Sequence, residues 1–462
     1  MAERTMYARS LFGVAALLLA VSASAAGKSA PDAIDTYLAA RYAPDAPGAA
    51  VIVVKDGKVI FRKGYGLADL ELKTPLRPEM VFRLASVTKQ FTAVAIMMLA
   101  EQGKLALSDD VRRFIPDYPA AAGAVTIERL LNHTAGVPGF SDDYLAKRDM
   151  RADITPAQIL ELIKAQPSEF VPGTKWAYSD GGYELLGMII ETASGLSYAD
   201  FIEQRIFTPL GMQHSFYDRS ERIIPNRVKG YAQTPSGYQN TAYLSMTLPY
   251  AAGSLASSVD DLALWDAAIA DSDKLLGAES RRRMLVSYTL PDGAVGLMPY
   301  GFGMGLTPRR NEPRVHHNGQ INGFTTAVLR LPKDKVYVAV LTNVENPKII
   351  PDLIAERVAA IAAGKPYPEQ ATVVLAPPVL DQFVGSYKMD AKNVRIVSRE
   401  GNRLFMQRNA GRKLELHPVS PTTFIIQDAF NEVTFGIVDG KVSTLTMTQV
   451  YGPASVATRL EK

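Results

Sequence analysis

The stretch Phe82-Arg83-Leu84-Ala85-Ser86-Val87-Thr88-Lys89-Gln90-Phe91-Thr92-Ala93-Val94-Ala95-Ile96-Met97-Met98-Leu99-Ala100-Glu101-Gln102-Gly103 reads as a helix that starts near Ser86 and stops at Gly103. After Lys89 it is apolar on most faces, so it belongs inside a core. Ser86 and Lys89 are three residues apart and share a face of the first turn. A helix N-terminus lends partial positive charge to a developing oxyanion, and the Ser86 amide can serve as one donor to it. A buried lysine with a lowered pKa can accept a proton from the serine. A serine cap beside a solvated lysine gives the same string, so its weight comes from its companions.

Two companions stand far away in sequence. Tyr178-Ser179-Asp180-Gly181-Gly182 places turn-forming residues before a helix capped by Ser179 or Asp180, with a phenol at the junction. Such a tyrosine can move a proton. Ser179 offers a rival register in which it is the relay. His317-Asn318-Gly319-Gln320 places a glycine where a strand edge can approach a ligand closely, with the Gln320 amide as a second oxyanion donor. His316 points to the opposite face of an extended segment and reads as structural. In this order the three strings point to acyl transfer through a serine.

The rest of the chain bounds that reading. At 462 residues, two folded units are expected, and 47% hydrophobic content supplies a large core. The net charge of +3, with the two signs interleaved, argues against nucleic acid as a partner. No cysteine is present, which removes disulfides, thiolate catalysis and cysteine–zinc sites. Five histidines with no paired-histidine helix motif call for no metal, and nothing calls for a cofactor. Arg4 and Arg9 precede the apolar run Leu11 to Val21, with Ala23-Ser24-Ala25 behind it. This is the pattern of a signal peptide over 1–25, cleaved near Ala25, and it predicts a periplasmic or secreted protein with no stable membrane span after processing.

Hairpins are predicted at Ala49 to Lys63, around Asp56-Gly57, and at Phe324 to Thr342. Bracketing mostly helical sequence, they predict one antiparallel sheet closed from both ends of the domain, flanked by helices and an all-helical region, an α/β (α+β) arrangement. Ile350 to Ala363 is a helix that packs back on the sheet. Pro235 to Asn240 and Asp292 to Gly305 read as loops rimming a cleft. Four prolines in Lys365 to Pro378 suit an extended linker over 365–378 between a domain at 26–364 and a small β-meander or barrel at 379–462.

The full set of strings resembles the β-lactamase-related serine hydrolases: class C β-lactamases, D-alanyl-D-alanine carboxypeptidases, D-aminopeptidases and esterases of the same penicillin-recognising fold. It includes Leu130-Leu131-Asn132-His133-Thr134-Ala135-Gly136, Tyr183-Glu184-Leu185-Leu186-Gly187, Ala252-Gly253-Ser254-Leu255 and Gly323-Phe324, and covers roughly residues 30 to 362. The resemblance implies Ser86 as nucleophile and Lys89 and Tyr178 sharing proton transfer. It implies Ser86 and Gln320 amides as the oxyanion hole, beside Gly319. His317 stands where penicillin-recognising members carry the lysine of Lys-Thr-Gly, and Asp180 stands where they carry the asparagine of Tyr-x-Asn. Both departures push away from penicillin turnover, because a carboxylate cannot donate hydrogen bonds and a histidine is charged mainly below neutrality. His317 is therefore expected to hold a substrate carboxylate more tightly toward pH 6. The expected substrate is a small ester, a β-lactam or a peptidoglycan-type D-amino-acid peptide. A weakly catalytic sensor of peptidoglycan fragments and a β-lactamase are the alternatives.

Overall fold

The computed structural model describes residues 29–120, 123–139, 149–293, 298–367, 371–411, 413–426, 430–448 and 454–460. The expected leader and its cleavage site lie outside the described residues. The first described element is helix α1 (Ala30–Ala39), capped by Ser29.

A five-stranded antiparallel sheet organises the first unit. Strands β1 (Ala49–Lys55) and β2 (Lys58–Tyr65) form the first hairpin. Asp56 and Gly57 turn it with φ of +48° and +74°, the primed geometry that matches strand twist. Helices α2 (Thr88–Glu101) and α3 (Asp180–Ser194) fall between this hairpin and the last one. Strands β3 (Val315–Ile321), β4 (Phe324–Leu331) and β5 (Val336–Thr342) follow, then helix α4 (Pro351–Ala362). The sheet order is β3-β4-β5-β1-β2. β5 pairs with β1 in the register Val51 to Val340, so the two ends of the domain meet at the sheet centre as expected.

Alternation along β1 and β5 splits the apolar side chains between two cores. Val51, Val53, Val338 and Val340 face α1 and α4, against Ile34, Leu38, Ile354 and Val358. Ala50, Ile52, Ala339 and Leu341 face the helical region, where α2 is buried along nearly its whole length. β3 is the edge strand on that sheet, and it brings the third sequence string to the cleft.

Strands β6 (Gly385–Lys388), β7 (Val394–Glu400), β8 (Arg403–Arg408), β9 (Leu414–Pro418), β10 (Thr423–Ile426), β11 (Glu432–Val438), β12 (Lys441–Thr448) and β13 (Ser455–Arg459) close a barrel. Phe383, Tyr387, Phe424 and Phe435 cluster in its interior.

One expectation needs correction, and two features add to the others. Pro235 to Asn240 is not simply a loop, because Gly237–Asn240 pairs with Tyr231–Thr234. Pro235 and Ser236 are the turn of that hairpin, and the polar residues after them belong to an exposed strand. The closing strands β6 and β13 carry no apolar alternation strong enough to read, yet they join β12 to β7. The proline-rich stretch is fastened rather than loose. The Tyr367 hydroxyl donates to Glu356 at 2.6 Å, Arg310 lies 3.9 Å over its ring, and the Val373 N–H reaches the Pro418 carbonyl at 2.8 Å. Its end forms a short helix, Pro377–Asp381, whose Leu380 enters the barrel core.

Candidate active site

Ser86 sits in a 3₁₀ turn, Ala85–Val87, that runs straight into α2. Ala85 before it has φ of +48°, a left-handed conformation costly for a residue with a Cβ. Neighbours hold it there. The Leu84 N–H donates to Leu255 O at 2.8 Å, Thr326 Oγ1 donates to Leu84 O at 3.0 Å, and Thr88 Oγ1 accepts from the Leu255 N–H at 3.1 Å. Strand β3 presses on the same turn through Gly319. A Cβ there would lie 2.3 Å from Leu84 O and 3.0 Å from Ala85 Cβ, so only glycine fits. Gln320 lies opposite Thr325, next to the turn-closing pair Ile321 and Phe324. Ladder alternation therefore turns its N–H to the free edge of β3, where Ser86 also lines the cleft. The expected oxyanion pair is brought together.

Lys89 is fully buried, and its Nζ donates to three acceptors: Ser86 Oγ at 3.1 Å, Asp180 Oδ1 at 2.6 Å and Ala252 O at 3.0 Å. An ammonium has three N–H donors, and all are committed. Burial alone would lower its pKa, but the Asp180 carboxylate and the Tyr178 oxygen together outweigh it and hold the lysine above its ordinary value. This corrects the expectation of a lysine poised to accept a proton. Asp180 opens α3, where a negative charge is favoured by the helix dipole. The carboxylate at the position where the resemblance expects an asparagine is thus the counter-charge of Lys89.

Tyr178 has its hydroxyl within hydrogen-bonding reach of Lys89 and Ser86. Burial raises its pKa, and the Lys89 charge pulls it back. Its ring rests 4.4 Å from that of His133, whose Nδ1 accepts the Ser179 N–H at 3.2 Å. The rival register fails here. Ser179 Oγ accepts the Gly182 N–H at 3.0 Å as the cap of α3 and points to Pro138 O, away from any relay.

His317 is buried, and this corrects its expected role in charge recognition. Its Nδ1 lies 2.6 Å from Asn318 O, an acceptor only, so Nδ1 carries the proton. Nε2 then accepts from the Tyr300 hydroxyl at 2.8 Å. Burial and the Lys89 charge push its pKa down to about 4. It is neutral at pH 6 and buttresses Tyr178, with ring centroids 6.3 Å apart. The cation on that half of the cleft is Lys348, exposed and without an ion pair among the described residues. Asp352 lies near it at the start of α4, its carboxyl bonded to Asn318 and pushed up to about 6, chiefly by burial.

Ser86 therefore stands between two half-clefts. One is lined by Tyr178, Asn318, Gly319, Lys348 and Asp352, the other by Asp180, Glu184, Glu345 and apolar side chains. Tyr300, Lys348, Asp352 and Glu184 were not legible as site residues. Glu184 alone left a signal, a charge within the otherwise apolar run Tyr183 to Ile190.

The geometry agrees with comparisons to known proteins. Residues 32–363 match the Beta-lactamase family model. The chain is 30% identical over 408 residues to penicillin-binding protein 4* of Bacillus subtilis (strain 168), covering 83% of this chain and 89% of that protein. Its fold is similar to that of the octameric penicillin-binding protein homologue from Pyrococcus abyssi, with a TM-score of 0.65, 26% identity and coverage of 90% and 96% of the two chains. It is also similar to the D-amino acid amidase from Ochrobactrum anthropi SV3, with a TM-score of 0.60, 25% identity and coverage of 73% and 96%. With its serine, lysine and tyrosine converging on one cleft, the chain belongs to the beta-lactamase family of serine hydrolases.

Proposed function

We propose that the protein is an exported hydrolase that cleaves an ester or an amide through an acyl-Ser86 intermediate. The observation that carries this reading is the buried Lys89 ammonium, which bridges Ser86 Oγ and Asp180, both of which line an open cleft. Lys89 acts as a fixed charge, not as the resting base. Tyr178 moves the proton. Its oxygen takes the Ser86 proton as its own proton passes to the leaving oxygen or nitrogen, so the phenol starts and ends neutral. The Ser86 Oγ–carbon bond forms, the bond to the leaving group breaks, and the Ser86 and Gln320 amides stabilise the oxyanion between them. Water on the same path then releases the acid. The leader over 1–25 supports delivery to the periplasm or the medium. Among the described residues no single helix is long and apolar enough to cross a membrane.

The test is a fluorophosphonate label with peptide mapping, run beside hydrolysis of p-nitrophenyl butyrate. The reading expects the label on Ser86 and loss of both label and turnover in Ser86→Ala with folding intact. Turnover by Ser86→Ala near the unmutated level overturns it, and labelling without turnover selects the sensor instead.

A further inference from the structure

A second cavity, of about 200 Å³, shares no lining residue with either half-cleft. The helix Val259–Asp271 bounds it together with residues of α2, β3, β4 and β5. Trp265, Ile269, Met284, Met304 and Val328 give it an apolar wall. The two methionines are unbranched and adapt to the outline of a guest. Apolar cavities of about 150 Å³ take a guest the size of benzene. This one has room for a ring with a short substituent.

Two polar side chains interrupt the wall, Tyr337 and Gln90, each only 5% exposed. Tyr337 lies on β5, cross-strand from Arg330, on the face that packs against the helical region. Its hydroxyl has no hydrogen-bond partner among the described residues. Burial holds its pKa well above the usual phenol value, so the oxygen keeps its proton and can donate. Gln90 follows Lys89 on α2. Its Oε1 accepts from Trp265 Nε1 at 3.1 Å, and its Nε2 donates to no described residue. Leaving a buried donor unused is costly, and such groups are uncommon in native proteins.

The charges around these donors are already paired. Arg330 holds Asp266 at 2.5 Å and Asp271 at 2.9 Å, and Arg281 holds Asp273 at 2.5 Å. Lys335 stands exposed at the rim. Asp266 is itself buried, with its pKa pushed up to about 7, chiefly by burial. A second carboxylate beside it is disfavoured by both burial and repulsion.

We propose that this cavity is a ligand site, separate from the Ser86 cleft, for a compact neutral molecule with an apolar body and one carbonyl oxygen. The oxygen accepts from the Tyr337 hydroxyl, with the Gln90 amide as a further donor in the same cavity. The body lies against Trp265 and the two methionines. A hydrocarbon of the same shape leaves the donors unmet, and a carboxylate meets the charge of Asp266.

The experiment is calorimetric titration of the full chain with acetophenone, ethylbenzene and benzoate, which share a ring and differ in the head. Acetophenone should bind at least about tenfold more tightly than either of the others, because a site built to hydrogen-bond an oxygen rejects the analogue lacking it. Tyr337→Phe removes only an unpartnered oxygen, so the variant should fold as the unmutated protein does. It should bring acetophenone down toward ethylbenzene and leave ethylbenzene unchanged. Binding in the Ser86 cleft does not respond to Tyr337, so an acetophenone preference that survives Tyr337→Phe overturns the site. Equal affinity for acetophenone and ethylbenzene, tightest binding of benzoate, or no binding of any of the three overturns it as well.

Discussion

The hydrolase unit and the barrel solve different problems. In the barrel each strand pairs with neighbours in the sheet, the interior is aromatic and aliphatic, and the rings of Phe383, Phe424 and Phe435 pack edge to face or tilted. In the hydrolase unit the departures from a stable fold gather around one point. Ala85 is left-handed, Lys89 is a fully buried charge, Glu184 is a fully buried carboxyl pushed up by burial, and His133 and His317 are held neutral. Strain and buried polarity persist only where surrounding structure over-determines them, and here they surround Ser86. Buried charge alone does not mark the site. Arg314 and Glu356 form a buried pair at 2.5 Å, but that pair is closed on itself and fastens Tyr367. Lys89 is buried behind Ser86 and Asp180, which open onto a cleft.

The sharpest test of the contrast is Phe435→Ala. Deleting a buried ring from the barrel should cost about 3–5 kcal/mol of that domain's stability. Ester hydrolysis by the native protein should hold, because no barrel residue lines either half-cleft. Hydrogen exchange of barrel peptides, followed through chemical denaturation beside activity, separates the two, because both tryptophans, Trp176 and Trp265, lie in the hydrolase unit; parallel loss of both signals would show that the barrel shapes the site.

Lys89→Met inverts the pattern. Turnover of p-nitrophenyl butyrate should fall by about 10³, since both the ordering of Ser86 and the charge on Tyr178 are lost. Adding Asp180→Asn removes the orphaned carboxylate, so the double variant should melt at or above the single variant while remaining inactive. Recovery of activity in the double variant would show that Lys89 serves packing only.

Asp180→Asn alone should hold kcat within about tenfold at neutral pH. Its signature is the alkaline limb. Without the carboxylate, only the Tyr178 oxygen still opposes burial, the Lys89 pKa falls, and activity that needs the ammonium is lost at lower pH. Acylation by benzylpenicillin should quicken, because an asparagine can donate a hydrogen bond where the carboxylate cannot. An unmoved alkaline limb would disconnect Asp180 from Lys89.

His317→Gln is the mildest change. The folded pKa of about 4 lies below the unfolded value near ~6.5, so the unfolded chain binds more protons between them. This contribution is complete above pH 6.5 and is lost as pH falls toward 4, by up to about 1.4 kcal/mol per pH unit. The variant should flatten that acid limb. It should leave the pH dependence of KM for anionic substrates near pH 6 in place, because Asp352 titrates there beside Asn318, Arg314 and Glu356. Loss of that dependence in His317→Gln would return the selector role to His317.

Local chemistry made much of this legible. The two hairpins, the buried helix after Ser86, a cap at Ser179 or Asp180 and the small β unit at 379–462 follow from short-range pattern: alternation, turn residues and 3.6-residue periodicity act over a few residues and need no partner. The serine, lysine and tyrosine were legible for the same reason, as spacing and residue type name them. What a charge becomes once buried was not legible. Whether Lys89 is an acceptor or a locked ammonium depends on Asp180, 91 residues away. Whether His317 faces substrate or a tyrosine depends on the packing of Tyr300. The burial of Glu184 and the exposure of Lys348 depend on which segments close over them. Electrostatic environment is set by neighbours in space, and only the tertiary structure brings those neighbours together.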